Sequence, residues 1–285
     1  MFVLLKNILL SVLSLSNKEF IEIHNSENHS YIVGENQFIN MTYNDEFIKM
    51  NHYLYDKGST NNILEFDNLN KDSIDWRNNF KVSSVKNQGQ CGGCWAFSSV
   101  GAVESAWAIK YNTLYNLSEQ ELIDCSSQNH GCEGGSMDLA FQYIINNGLC
   151  SNISYPYTAI DGRCDNNCQS LVKISNYSDI IPNQEKMLMR AVQHQPVSVA
   201  IQANKRSFQM YQSGIYSDLD CGFELDHGVL LIGYGYDKTY DMDYWIIKNS
   251  WSDSWGENGY IRIQRNIDDS RGLCGIAMNP SVPIV

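Results

Sequence analysis

Three short stretches of this chain hold residues whose types and spacing could do chemistry. The first is Gln88-Gly89-Gln90-Cys91-Gly92-Gly93-Cys94-Trp95-Ala96-Phe97, with two cysteines three apart just before a helix-like run. A C-x-x-C pair can cycle between dithiol and disulfide. It can also be half a zinc site, but no second C-x-x-C or histidine pair follows at suitable spacing. A third reading makes one cysteine structural and the other reactive. A thiol in the first turn of a helix feels the positive end of the macrodipole, which lowers its pKa. The glycines let backbone N–H groups come close to a substrate. A reactive thiol needs a base, and the base needs a group to hold it. Of the six histidines, His24, His29 and His52 lie in or near the leading segment, while His130 and His194 read as surface residues. His227 opens the apolar run Leu225-Asp226-His227-Gly228-Val229-Leu230-Leu231, at a strand edge a substrate could reach. Asn249 ends Tyr244-Trp245-Ile246-Ile247-Lys248-Asn249 and is followed by Trp251 and Trp255. An amide there can accept from the imidazole N–H, and an indole can shield that bond. Taken singly, His227 reads as a satisfied strand-end histidine and Asn249 as a turn residue. Together the three stretches supply nucleophile, base and orienter.

The rest of the chain must position them. Its 285 residues make one large or two small domains. With 43% apolar and 18% charged residues it can bury a sizeable core and does not read as disordered. A net charge of −12 repels phosphate backbones and argues against a nucleic-acid partner. Nine cysteines leave one thiol over if the compartment is oxidising. Residues 1–55 are helix-like. Their first part, FVLLKNILLSVLSL, is too short to span a membrane; it reads either as a signal-peptide core without a cationic leader or as the apolar face of a helix. Asp56 to Asn70 is a polar linker. Helices are expected at Trp95–Tyr111, Ser118–Cys125 and Met137–Asn147, with Ser118 and Glu121 forming a capping box. Beyond about Ile180, strands are expected at Val197–Ile201, Val229–Tyr234, Tyr244–Lys248 and Tyr260–Arg265.

With these segments in order, the chain resembles a papain-like cysteine peptidase of the cathepsin L type. The family's nucleophile signature is C-G-[SA]-C-[WY] with His and Asn about 130–150 residues downstream. Here His227 lies 133 and Asn249 155 residues after Cys94, and Gly93 departs from the signature. Further matches are Asp75-Trp76-Arg77, Leu117-Ser118-Glu119-Gln120-Glu121-Leu122, Gly131-Cys132-Glu133-Gly134-Gly135, Tyr155-Pro156-Tyr157 and Asn249-Ser250-Trp251-Ser252-Asp253-Ser254-Trp255-Gly256.

The resemblance implies an α+β, papain-like two-lobe fold. A helical left lobe, about 79–179, faces a β-barrel-like right lobe, about 180–276, with the active-site cleft between them. It implies a proenzyme, with residues 1–70 as leader and 71–285 as the mature peptidase. Cys94 would be the nucleophile, His227 its ion-pair partner and later acid, Asn249 the orienter and Gln88 an oxyanion donor beside the Cys94 N–H. Trp251 would cover the His227–Asn249 bond. Gly134 and Gly135 would pair with the substrate backbone. Asp226 would also bind substrate, and Met137, Ala200, Leu225 and Gly228 would line the main specificity pocket with apolar walls, with uncharged Asn279 near its floor. That lining predicts a bulky apolar residue two positions before the scissile bond. Three bridges are implied, Cys91–Cys132, Cys125–Cys164 and Cys221–Cys274; Cys150 and Cys168 could form a fourth. No metal and no cofactor are expected.

In the leader, Asn36-Gln37-Phe38-Ile39-Asn40-Met41-Thr42-Tyr43-Asn44-Asp45-Glu46-Phe47 resembles the second characteristic stretch of the family's inhibitory propeptide. Asn17, Ile21 and Asn25 match the tail of its helical motif. Lys6, Leu10 and Ser14 stand where acidic, basic and aromatic residues are expected, so the propeptide is truncated or diverged. It is expected either to lie through the cleft as an intramolecular inhibitor, released when acid protonates carboxylates, among them Glu19, Glu22, Asp45 and Glu46, or to be a vestigial leader needed only for folding. The expected partners are protein or peptide substrates, with no nucleic acid, no stable membrane span and a monomeric state. Four bridges and sequons at Asn28, Asn40, Asn116, Asn152 and Asn176 point to the secretory route, ending in a lysosome-like acidic compartment or outside the cell. Two other readings compete: a catalytically silent homologue that binds proteins, and a thiol-disulfide oxidoreductase using Cys91 and Cys94.

Overall fold

In the computed structural model, which describes residues 15–41, 53–54, 63–165 and 167–285, the apolar runs become helices and strands packed around two cores. Lys6, Leu10, Ser14, residues 42–47, His52 and the first half of the linker lie outside the described residues, as does nearly all of the apolar N-terminal run. The described leader opens with helix α1 (Asn17–Ser26), started by a complete capping box between Ser16 and Glu19. Strand β1 (Tyr31–Val33) follows. Next come β2 (Ile74–Asp75) and a 3-10 turn at Trp76–Asn79.

Helix α2 (Cys94–Tyr111) is buried without interruption from Cys94 to Ala106. A helix whose apolar residues are spread all round has no solvent face to present and sits inside the molecule, its Ser98, Ser99 and Glu104 bonded there. Helix α3 (Glu119–Cys125) begins where expected, with Ser118 Oγ accepting from the Glu121 N–H. The capping box is only half formed. The Glu121 carboxylate instead accepts from the Cys150 N–H at 2.7 Å, and the Ser118 N–H donates to the Cys150 carbonyl. The Leu117–Ser151 bridge brings that backbone alongside and outcompetes the local contact. Helix α4 (Met137–Asn147) matches its expected bounds.

Then come β3 (Asn176–Asp179), α5 (Glu185–His194), β4 (Val197–Ile201), α6 (Arg206–Gln209), β5 (Tyr211–Tyr216), β6 (His227–Asp237), β7 (Met242–Lys248), β8 (Tyr260–Gln264) and β9 (Ser281–Ile284). The strands run β1-β5-β8-β7-β6-β4-β9-β3, with β2 on β6. All pairs are antiparallel except β5–β8. The barrel-like expectation needs correction: the sheet is not closed. One end of the path is β1, contributed by the leader. The other is β3, whose Tyr177 packs with Phe141 of α4 in the helical core.

Strand β6 is the wall between the two cores. Successive side chains point to opposite faces. Val229 and Leu231 therefore enter the sheet-side core, while Leu230 and Ile232 enter the helical one. The same division puts Trp245 and Ile247 of β7 on one side and Ile246 on the other. Strands covered on both faces read as unbroken apolar runs, which is how these look in the sequence.

Candidate active site

Cys94 is the first residue of α2, at the positive end of its macrodipole. Gly93 precedes it in an ordinary conformation (φ −87°). A β-carbon there would come within 3.1 Å of Ile123 Cδ1, so the Ser or Ala of the family signature would need the isoleucine to shift slightly. The four disulfides are Cys91–Cys132, Cys125–Cys164, Cys150–Cys168 and Cys221–Cys274. Cys94 is the one cysteine outside them, and it is buried.

Opposite α2 stands the start of β6. Ser98 Oγ, one turn after Cys94, donates to the Val229 carbonyl, two residues after His227, at 2.7 Å. A β-carbon on Gly228 would lie 3.3 Å from the Cys94 carbonyl oxygen. The two distant stretches therefore meet.

His227 Nε2 lies 2.8 Å from Asn249 Oδ1, and that oxygen also accepts the Ser250 N–H. Bonding Nε2–H to the amide oxygen leaves Nδ1 to exchange protons, and Nδ1 has no hydrogen bond among the described residues. Trp251 stacks on the imidazole. His227 is fully buried, and burial pushes its pKa down to about 4 against the bond from Asn249.

Gln88 is buried in the turn before Cys91. Its N–H donates to the Ser250 carbonyl, its Oε1 accepts from Ser250 Oγ at 2.6 Å, and its Nε2 donates to the Cys91 carbonyl. Its own carbonyl accepts from the Tyr157 phenol at 2.7 Å.

Tyr53 and Leu54 lie against residues expected to bind substrate. The Leu54 N–H donates to the Gly135 carbonyl, and the Tyr53 N–H to the Asp226 carbonyl. Gly135 has room for no side chain, since a β-carbon would lie 2.5 Å from Asn129 Oδ1 and 2.7 Å from Trp95. Tyr53 is buried in one cluster with Met137, Ala200 and Leu225, and its phenol oxygen accepts from Asn279 Nδ2. Gly228 sits against the Met137 sulfur. Asp226 accepts from the Ala203 N–H, and burial raises its pKa to about 7. Gly134 instead serves the local turn, its carbonyl accepting from the His130 N–H.

Behind Asn249 lies a buried charge cluster that the sequence did not reveal. Lys248 Nζ donates to Ser83 Oγ, Ser83 donates to Glu104, and Lys86 bridges Glu104 and Glu119 at 2.9 and 2.5 Å. Burial lowers the Lys248 pKa to about 8 and raises that of Glu119. The roles of Ser250, Tyr157 and Tyr53 were also missed. Nothing in a lone serine or tyrosine marks its partner across the cleft. The only signals were Ser250's place beside Asn249 and Tyr157's place in the Tyr-Pro-Tyr motif.

The described leader is tied to the sheet by the residues singled out in it. Asn17 Nδ2 donates to the Phe38 and Ile39 carbonyls, and Asn25 makes a two-way pair with Val33. Gln37 donates to the Trp251 carbonyl, and Phe38 meets Trp251 edge-on. No helix among the described residues is long and apolar enough to cross a membrane.

A family model described as papain family cysteine protease matches residues 70–284. The chain is 47% identical over 279 residues to the probable cysteine protease RD21B of Arabidopsis thaliana, covering 94% of this chain and 59% of that protein. It is 45% identical to the KDEL-tailed cysteine endopeptidase CEP2 of the same plant, covering 93% and 77%. The chain thus spans about three fifths of RD21B's length. Among solved structures it is similar to a recombinant stem bromelain precursor, with a TM-score of 0.88, 41% identity, and 94% and 88% of the two chains covered. It is also similar to the proform of the ragweed pollen cysteine protease Amb a 11, with a TM-score of 0.87, 38% identity, and 94% and 86% covered. From residue 70 onward, sequence and fold agree that this chain belongs to the papain family of cysteine proteases.

Proposed function

We propose that the chain is the proenzyme of a cysteine endopeptidase, with residues 1–70 as leader and 71–285 as the mature, monomeric enzyme. Cys94, as thiolate, attacks the peptide carbonyl. The oxyanion is held by the Cys94 N–H and the Gln88 amide, each such donor being worth about 3–4 kcal/mol elsewhere. His227 passes its proton to the leaving amine, and a thioester remains. Water, deprotonated by His227, then hydrolyses the thioester. Asn249 fixes the ring and Trp251 keeps water from the His227–Asn249 bond. The observation that carries this reading is the His227–Asn249 pair beneath Trp251, set against a helix whose first residue is the one cysteine outside a bridge.

The leader would act as an intramolecular inhibitor. Its support is Tyr53 and Leu54, which take the backbone positions and the pocket a substrate would need. Tyr53 also informs selectivity. A pocket that encloses a tyrosine ring and meets its hydroxyl with Asn279 suits large apolar or aromatic side chains two positions before the cleaved bond. Four disulfides and the relative named as KDEL-tailed support the secretory route, ending in an acidic compartment or outside the cell. Endopeptidase rather than exopeptidase action fits the lack of an insertion between the Cys132 glycines and α4.

A fluorogenic peptide with Phe or Tyr at that position tests the reading. After acid incubation the chain should hydrolyse it, and a thiol alkylator should abolish the activity. An alkylatable Cys94 with no hydrolysis would favour the binding-protein reading instead.

A further inference from the structure

The segment Tyr155–Asp161 wraps the outside of the turn that carries Gln88. Its Tyr157 phenol donates to the Gln88 carbonyl at 2.7 Å. Ala159 packs where a β-carbon on Gly89 would be, at 3.5 Å. Asp161 accepts the Cys132 N–H at 2.7 Å, and Cys132 is bridged to Cys91 at the end of the same turn. The segment is itself pinned to α3: the Thr158 N–H donates to Gln120 Oε1, and Gln120 Nε2 donates to the Ile160 carbonyl. The Tyr157 ring stands edge-on to Phe97, one turn after Cys94, with centroids 5.0 Å apart. One half-buried tyrosine thus touches both the nucleophile's helix and the turn that carries the oxyanion amide.

The turn needs such a hold. Gly89 has a φ of +60°, and the bond closing the turn, Cys91 N–H to Gln88 carbonyl, is long at 3.4 Å. The Gly89 N–H of the peptide between them donates to the exposed Asn87 Oδ1 at 3.0 Å, so with a weak turn bond it is the carbonyl side of the glycine peptide that lacks a firm hold. Ser250 holds the Gln88 N–H and Oε1. The phenol holds the carbonyl on the other side of the same residue.

We infer that Tyr157 is a positioning residue for the oxyanion site, its hydroxyl fixing the Gln88 peptide so that the side-chain amide meets the developing oxyanion. This rests on the peptidase reading above. Tyr157 touches no reacting atom and acts through Gln88. Loss of the hydroxyl should lower turnover, because a small displacement of a preorganised donor weakens only the transition state.

The test compares acid-activated full-length chain with its Tyr157→Phe and Gln88→Ala variants and the double variant, with rates counted per alkylatable thiol. Tyr157→Phe should reduce kcat about 10-fold while KM stays within about twofold. The affinity of a peptide aldehyde, whose thiol adduct carries the oxyanion, should fall by the same factor. The rate of alkylation by iodoacetamide, which forms no oxyanion, should stay within about twofold. In the Gln88→Ala background, Tyr157→Phe should add nothing. The inference is overturned if Tyr157→Phe leaves kcat unchanged, if alkylation slows as much as turnover, or if the two substitutions multiply. An inert parent chain would overturn the peptidase reading as well; an active parent with an unaffected variant overturns this inference alone.

Discussion

The indole of Trp251 lies stacked on the imidazole of His227, with ring centroids 4.7 Å apart and planes 25° from parallel. The same indole receives Phe38 of the leader edge-on at 5.1 Å, and Phe208 and Trp255 stand perpendicular to it. One side chain therefore serves the candidate catalytic pair and anchors the leader. Replacing it should disturb both. Trp251→Phe keeps a ring in place, and aromatic pairs are worth about 0.5–1.5 kcal/mol beyond burial, or roughly 2–10-fold in an equilibrium. Turnover of the processed variant should fall by at least that factor, and the unprocessed chain should begin to hydrolyse peptide sooner after acidification. Unchanged progress curves for both forms would sink the dual role.

The two cysteines of the C-x-x-C pair should separate cleanly. Cys94→Ser should fold with an unchanged melting temperature and hydrolyse nothing. Cys91→Ser opens the Cys91–Cys132 bridge, which spans a sequence separation of 41, and should cost about 2–4 kcal/mol in denaturant while leaving a reactive thiol. Equal loss of activity in both variants, with disulfide exchange as the only surviving chemistry in the parent, would restore the oxidoreductase reading.

Glu104 should be far more costly to remove than a surface carboxylate. It is completely buried, takes bonds from Lys86, Ser83 and the Leu117 N–H, and Lys248 lies one serine away. The lysines hold its pKa down against burial. Glu104→Ala leaves two buried ammonium groups short of a partner and should destabilise by about 3–5 kcal/mol. Urea midpoints decide it. A loss below about 1 kcal/mol would mean that water replaces the carboxylate.

Acid should loosen the leader partly through His24. This buried ring bonds the Tyr31 carbonyl, stacks on His29 at 4.0 Å, and packs near Phe20, with Glu27 and Asp218 as the nearby carboxylates. Burial first, then His29, hold its pKa below the ordinary 6.5, while the Tyr31 carbonyl, Glu27 and Asp218 pull upward. A docked state with a depressed histidine pKa binds fewer protons than the undocked one. Its advantage is complete above about pH 6.5 and shrinks as pH falls toward the docked value. The lag before peptide hydrolysis should therefore be shorter at pH 5 than at pH 7, and His24→Phe should flatten that difference. An identical pH dependence in the variant would leave the leader carboxylates as the whole trigger.

Much of this protein could be read along the chain. Helix α4 and strand β4 have the bounds expected from the sequence, and the order of cysteines, histidine and asparagine pointed to the chemistry before any fold was in view. Local signals sufficed there because a cap, an apolar run or a motif depends on neighbours a few residues away. The Ser118–Glu121 box failed for the opposite reason, when Cys150, distant in sequence, offered better partners.

What tertiary structure alone decided depends on contacts between distant residues. Which side chains of β6 face which core, that the sheet stays open with β1 at its end, and that Tyr53 is buried beside Met137 and Ala200 and bonded to Asn279 follow from packing, to which composition and spacing are blind. The linkage of Tyr157 and Ser250 through Gln88 spans from 69 to 162 residues of chain. The Tyr157 bond exists only once the helical lobe has folded back on itself, and the Ser250 bond only once the two lobes have met.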